Sequence, residues 1–273
     1  MAIKSILLHV DATAAAAVRL EVALQLAGRL DAKLTAVFAA AWDEQASFAY
    51  SAAAALDAGG GHPLAAHRDA ELRLRRHRLL AAADVGWFDI VGEAITPGFL
   101  AESVFADLLV VGQQPPSTET GASPPGFVDA VILQSGRPTL VIPGGLHRPA
   151  IARRAVVAWN GSLPSMRALS GALPLLALAE RVHVVSWARH APVAPFSRID
   201  VREYLARHGV DAEVHLEAVS SNVAKALAVK ARELSGDLIV MGCYGHSRAA
   251  ERVFGGTSRS ILAHADIPVL MAH

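Results

Sequence analysis

The sequence is poor in several things, and each shortage narrows what the chain can be. It has one cysteine, Cys243, in 273 residues. That excludes an internal disulfide framework and suits a reducing compartment. It has no surplus of charge of either sign: 25 basic side chains balance 25 acidic ones. The basic footprint of a nucleic-acid binder is therefore missing. No apolar run reaches the roughly 18–20 residues of a membrane-spanning helix. The N-terminus runs from Met1 into a strand-like segment and lacks the layout of a secretory signal. These absences lead us to expect a soluble, cytoplasmic protein that contacts neither nucleic acid nor membrane.

Catalytic signatures are missing too. There is no Gly-x4-Gly-Lys-Ser/Thr loop, no Gly-x-Gly-x-x-Gly fingerprint and no Gly-x-Ser-x-Gly elbow. The twelve histidines show no paired zinc spacing along the chain, and no acidic cluster organises a metal. No catalytic residue and no metal ligand is assigned.

What is present is apolar substance, 53% of the residues, enough for one large or two ordinary domains. Strand-like and helix-like segments alternate. The first half reads as strands at Ile3–Val10, Lys33–Ala39, Trp87–Val91, Asp107–Gly112 and Pro138–Ile142. Helices are expected at Thr13–Gly28, Leu64–Ala82 and Pro97–Phe105. An irregular stretch, Ala41–Pro63, carries Gly59-Gly60-Gly61. The second half reads as strands at Arg154–Trp159, Val182–Trp187, Ala212–Leu216, Asp237–Gly242 and Pro268–Met271. Its helices are expected at Pro164–Ala179, Val201–Gly209 and Asn222–Ser235. Such alternation implies parallel sheets built from right-handed crossovers.

The halves are copies of one unit. Asp107–Gly112 falls on Asp237–Gly242, and Pro138 on Pro268, both 130 positions apart. The first strands align Asp11 with Asn160, 149 positions apart. The extra length of the first copy is expected between Ala41 and Pro63. We expect two tandem doubly wound α/β domains, Rossmann-like or flavodoxin-like, each with strand order 3-2-1-4-5. They would span residues 1–147 and 148–273.

The richest stretch is Gly242-Cys-Tyr-Gly245, nine residues, then Gly255-Gly256-Thr257-Ser258. It follows an apolar strand and precedes an expected helix start. Glycines there let the backbone turn tightly and approach a ligand. Helix N-termini favour anions. The pattern reads as a phosphate cradle split over two loops; ordinary turns are the plainer alternative. In a doubly wound sheet, strands one and four flank the ligand crevice. In the second copy they end at Asn160-Gly161-Ser162 and at Gly242. Proline stands at Pro115 and Pro125, opposite Gly245 and Gly255, and has no N–H to offer a phosphate. One phosphate site per chain is expected, in the second copy.

Other residues carry two readings each. His246 and Ser247 are donors to phosphate or surface side chains. Arg248, Arg252 and Arg259 add positive potential or are solvated charges. Cys243 is an activated thiol or a packed small side chain. Trp187 flanks a base or packs in the core. Leu72–Arg78 is an exposed helix face or a regulatory contact.

These motifs resemble those of the universal stress protein family in its tandem two-domain form. ATP-binding members carry Gly-x2-Gly-x9-Gly-Ser/Thr after the fourth strand, and Gly242, Gly245 and Gly255 match its glycines. Two positions differ. Gly256 stands where the family has Ser/Thr, with Thr257 and Ser258 following. Asn160 stands where members place an acidic residue, which the first copy keeps as Asp11. The resemblance implies a stress-response regulator that binds ATP, or a related adenine nucleotide, with Mg2+ in the C-terminal domain. It implies that Asn160 lies near the ribose or base and that backbone near Trp187 faces adenine; Ser162, at the same strand end, is a further candidate for the nucleotide site. Gly242, Gly245, His246, Gly255, Gly256, Thr257 and Ser258 would hold the phosphates. The N-terminal domain would be a degenerate copy packed through its sheet face. A homodimer and a regulatory protein partner are further expectations, and any hydrolysis would be slow or incidental. The alternatives are a non-nucleotide interaction module and a slow nucleotide hydrolase.

Overall fold

The computed structural model describes residues 2–11, 13–39, 85–90, 95–114, 122–146, 151–187, 200–218, 222–243 and 256–273. The expected insertion at Ala41–Pro63 and the expected helix at Leu64–Ala82, with its Leu72–Arg78 face, lie outside these residues.

The first half contains β1 (Ser5–Val10), α1 (Ala15–Leu30), β2 (Lys33–Phe38), β3 (Gly86–Asp89) and α2 (Ile95–Glu102). It continues with β4 (Leu108–Gly112), α3 (Phe127–Gln134) and β5 (Thr139–Ile142). The second half contains β6 (Arg154–Ala158), α4 (Leu163–Leu176), β7 (Arg181–Trp187), α5 (Val201–Arg207) and β8 (Ala212–Glu217). It ends with α6 (Val223–Glu233), β9 (Leu238–Gly242), α7 (Gly256–His264) and β10 (Val269–Ala272). Helix α1 runs through Gly28 and stops at Asp31, whose left-handed φ of 50° turns the chain. Helix α3 follows Gly126 at φ 78° and was not anticipated from the sequence.

The order β3-β2-β1-β4-β5 in one half and β8-β7-β6-β9-β10 in the other is the expected 3-2-1-4-5 twice. The expectation of two separate sheets does not hold. β5 and β10 pair antiparallel, with Leu140 opposite Leu270, and fuse the halves into one ten-stranded sheet. The halves therefore meet edge to edge, not face to face. The cause lies in the two strands: both are fully buried, and each alone would expose a row of unpaired backbone groups on an apolar edge.

Strand side chains alternate between two core layers that run across the junction. Ile6, Leu8, Ala155 and Val157 pack with α1, α4 and α5 on one face. Leu7, Val156, Val185 and Ile239 pack with α2, α3, α6 and α7 on the other. Three devices lock the halves further. Arg29 of α1 donates to the carbonyls of Ile151, Ala152 and Leu178. Gln113 donates to Leu262 and Ala265 at 2.8 and 3.3 Å. Gly171 of α4 sits so close to Pro138 that a Cβ would fall 2.8 Å from its ring.

The repeat extends to individual contacts. The carboxylate of Asp107 accepts from the backbone N–H of Lys4 and Ser5. That of Asp237 accepts from Arg153 and Arg154. Lys4 pairs with Asp31, and Arg153 with Glu180. All these equivalents obey the offsets read from the sequence.

Candidate functional site

In each half the strand order reverses between the first and fourth strands, and their carboxyl ends open the crevice where such folds take ligands. In the second half these ends belong to β6 and β9. Helices α4 and α7 both follow a strand of this sheet and return antiparallel to it. Their N-termini, with N–H groups free of intrahelical partners, thus lie at the same edge.

The β6–α4 turn is built by its polar residues. Asn160 Oδ1 accepts from the Ser162 N–H at 3.0 Å. Gly161 supplies a positive φ of 70°. Ser162 then caps α4, its Oγ accepting from Ser165 N–H at 3.3 Å. Pro164 fits the first turn, where a missing N–H costs nothing. Gly242 closes the crevice floor. A Cβ there would lie 2.3 Å from Ser165 N and 2.5 Å from the Pro164 carbonyl carbon. The ends of β9 and α4 therefore touch backbone to backbone, which only glycine permits. This sets Gly242 against the first turn of α4, one turn from the Asn160–Ser162 segment.

Helix α7 begins at Gly256, which is exposed, with Thr257 half-buried and Ser258 buried in its first turn. Gly245, His246 and Gly255 lie outside the described residues, as do Ser247, Arg248, Arg252 and Pro115. Trp187 ends β7, and its ring is 8% exposed and packed in the core. The packing reading holds for its side chain; only its backbone stays at the crevice edge. Cys243 also proves to be a packed side chain. It is buried, and its thiol lies 3.3 Å from the Ala272 carbonyl. Burial, aided by the Asp129 charge, pushes its pKa up to about 12. That is the reverse of an activated thiol.

The matching crevice of the first half is filled by side chains. Arg19 projects from α1, donates through Nε to the His9 carbonyl at 2.8 Å and pairs with Asp11 at 3.0 Å. Its Nη1 would lie 1.9 Å from a Cβ on Gly112. Asp11 also accepts from the Thr13 N–H and hydroxyl at 3.1 and 2.6 Å. His9 is 1% exposed. It bonds the Ala39 carbonyl at 2.8 Å and packs on Phe127, ring centroids 4.4 Å apart. Burial and the Arg19 charge hold the His9 pKa at about 4.

This cluster was not anticipated, although the repeat offsets carried the signal. Arg19 falls on Ala168 and His9 on Ala158; Phe127 and Val128 fall on Thr257 and Ser258. The first copy has bulk where the second has small or hydroxyl side chains.

A doubly wound α/β fold of this kind opens a crevice at its strand-order switch, the place where such architectures take ligands. Residues 152–273 match the model of the Universal stress protein family. That match lies entirely within the second half of the chain. A universal stress protein from Archaeoglobus fulgidus superimposes with a TM-score of 0.69 at 17% identity, covering 98% of this chain and 97% of that one. A putative universal stress protein from Pseudomonas aeruginosa gives 0.56 at 18% identity, covering 99% and 93%. These likenesses extend the fold over both halves. A universal stress protein solved in complex with cAMP gives 0.33 at 20% identity, covering 44% of this chain and 97% of that one. None of the curated proteins matches this chain. No helix among the described residues is long and apolar enough to cross a membrane.

Proposed function

We propose that the chain is a tandem universal stress protein, divided near residues 147 and 148, that binds ATP or a related adenine nucleotide in its C-terminal half. One observation carries this reading: the asymmetry of two equivalent crevices. In the first, Arg19, His9 and Phe127 fill the space and pair with one another. In the second, the corresponding residues are Ala168, Ala158 and Thr257.

The residues fit the ligand. Backbone N–H groups at Gly256, Thr257 and Ser258 begin a helix, whose positive end suits phosphate. Gly242, Gly245, His246 and Gly255 would complete the cradle. Asn160 and Ser162 would border the ribose, and the backbone beside Trp187 the base. Mg2+ would neutralise phosphate charge when bound. The first half then serves as a structural partner and widens the surface offered to a regulatory protein or a second copy.

Titration calorimetry of the full chain with ATP and Mg2+ tests the reading. A single site per chain is expected, weakened by Gly245→Val. No binding of any adenine nucleotide at ~1 mM ligand, an affinity worth only about 4 kcal/mol, would leave the non-nucleotide interaction module in its place.

A further inference from the structure

The outer strands of the C-terminal sheet bring together three ligand-bearing side chains that the linear sequence keeps apart. His183 lies on β7, with Glu213 and His215 on β8. The parallel register sets His183 beside Glu213, and Val185 beside His215. Residues two apart on β8 share a face, so both its side chains meet His183. His183 Nδ1 lies 3.1 Å from His215 Nε2. It lies 3.4 Å from one Glu213 carboxylate oxygen, and His215 Nε2 lies 3.8 Å from the other. Among the described residues, these three are the one group whose ligand atoms all fall within 4.8 Å of one another.

We infer that His183, Glu213 and His215 form a binding site for a divalent transition metal of the Zn2+ class. Bonds of about 2.0–2.1 Å in a tetrahedron place neighbouring donor atoms about 3.3 Å apart. The 3.1 Å between the two imidazole nitrogens and the 3.4 Å from His183 to one carboxylate oxygen lie close to that value, and the other oxygen stands 3.8 Å from His215. Two imidazoles and one carboxylate are a donor set that zinc takes, with a fourth position left for water or an outside ligand. Hydrogen bonding satisfies the cluster less well. A proton on His183 Nδ1 is directed to either the imidazole or the carboxylate, whereas one cation serves all three lone pairs. The surroundings support the ligands. His183 is 6% exposed while Glu213 faces solvent with its side chain 64% exposed. The wall is therefore rigid and the mouth open. Of the cations on this face, Lys230 is paired with Glu217 at 2.7 Å, and Arg181 is exposed at the start of β7.

The site is separate from the nucleotide crevice. His183 lies four residues before the carboxyl end of β7 at Trp187, about 13 Å at ~3.3 Å per residue. A metal there would fasten the edge strand β8 to β7.

Metal content of the purified full chain, and calorimetry with Zn2+ after chelation, test the inference; Co2+ in place of Zn2+ adds a spectrum. We expect one metal per chain, with the visible absorption of four-coordinate Co2+ and a melting temperature raised by Zn2+. His215→Ala and Glu213→Gln, both at the open mouth, should each lower Zn2+ affinity by more than the ~10–100-fold typical of losing an outer-layer partner. Their circular dichroism without metal should match that of the wild type. Absence of any Co2+ spectrum or Zn2+ heat would reduce the trio to a hydrogen-bonded cluster. Undiminished binding in a folded His183→Ala, His215→Ala double variant would place the metal on other residues. Either result overturns the site. Neither bears on nucleotide binding, which is measured separately with ATP and Mg2+ on chain freed of Zn2+.

Discussion

Arg19 and Asp11 are joined by an ion pair with 3.0 Å between Nη2 and Oδ1, their side chains only 3% and 4% exposed. The pair stands where the second half keeps Ala168 and Asn160. A buried charge without its partner is costly, so this arrangement cannot lose one member cheaply.

Arg19→Ala should therefore destabilise the chain by about 3–5 kcal/mol. The double variant Arg19→Ala, Asp11→Asn copies the second half and removes both charges. It should recover part of that loss. Urea midpoints of the two variants check this; equal losses would mean that the carboxylate is not compensated by Arg19.

Acid should weaken the first half through His9. Burial first, then the Arg19 charge, lower its pKa to about 4, against opposite pulls from Asp11 and the Ala39 carbonyl. The unfolded chain gains a proton at His9 near pH 6.5, whereas the folded chain does not until about pH 4. The stability tied to neutral His9 is complete above about pH 6.5 and drains away as pH falls towards 4. Its size is about 3 kcal/mol at ~1.4 kcal/mol per pKa unit. For Asp11, burial pushes upward, but Arg19, His9 and Thr13 outweigh it and hold the carboxyl low. Its contribution is lost only below about pH 4. Urea midpoints between pH 7 and 5 should fall in the wild type and stay flatter in His9→Gln. A parallel slope in both would remove His9 as the cause.

Cys243 should resist thiol reagents in the folded chain. Its pKa of about 12 leaves a thiolate fraction on the order of a thousandfold below that of a free thiol of pKa ~8.5. Labelling at pH 8 should be slow in buffer and rapid in denaturant. Prompt labelling of the native chain would contradict the packing seen between Cys243 and Ala272.

Much of this architecture is legible in the chain because it depends on local pattern and on repetition. The run Asp237–Met241 announces a buried strand, and the offset to Asp107 announces its twin. Even the shared role of those aspartates, capping the backbone of β1 and β6, follows once the repeat is accepted. What depends on pairing between distant segments was not legible. Nothing in Leu140 or Leu270 says that β5 meets β10 antiparallel rather than ending a separate sheet. His183 and His215 look scattered until the β7–β8 register sets them side by side. The filled crevice is intermediate: the repeat offset sets Arg19 against Ala168, but only the fold shows that Arg19 reaches Asp11 and the Gly112 wall.

Gly242 and Gly256 separate what a side chain does to the fold from what it does to the site. At Gly242 an added Cβ meets main chain, 2.3 Å from Ser165 N and 2.8 Å from its Cα, and backbone in a strand end and a helix start does not step aside. Gly242→Ala should cost about 1–3 kcal/mol, as overpacking does. It should also push α4 away from β9 and weaken nucleotide binding by about tenfold, or ~1.4 kcal/mol. At Gly256 nothing lies within 4 Å of an added Cβ, and the residue is exposed at the start of α7. Gly256→Ala should leave stability within about 0.5 kcal/mol and act only on a ligand that approaches that helix end closely. Thermal melts and calorimetry on both variants make the comparison. A stable Gly242→Ala chain would refute the backbone contact. A Gly256→Ala chain that loses nucleotide affinity while keeping its melting temperature would put the phosphates at the start of α7.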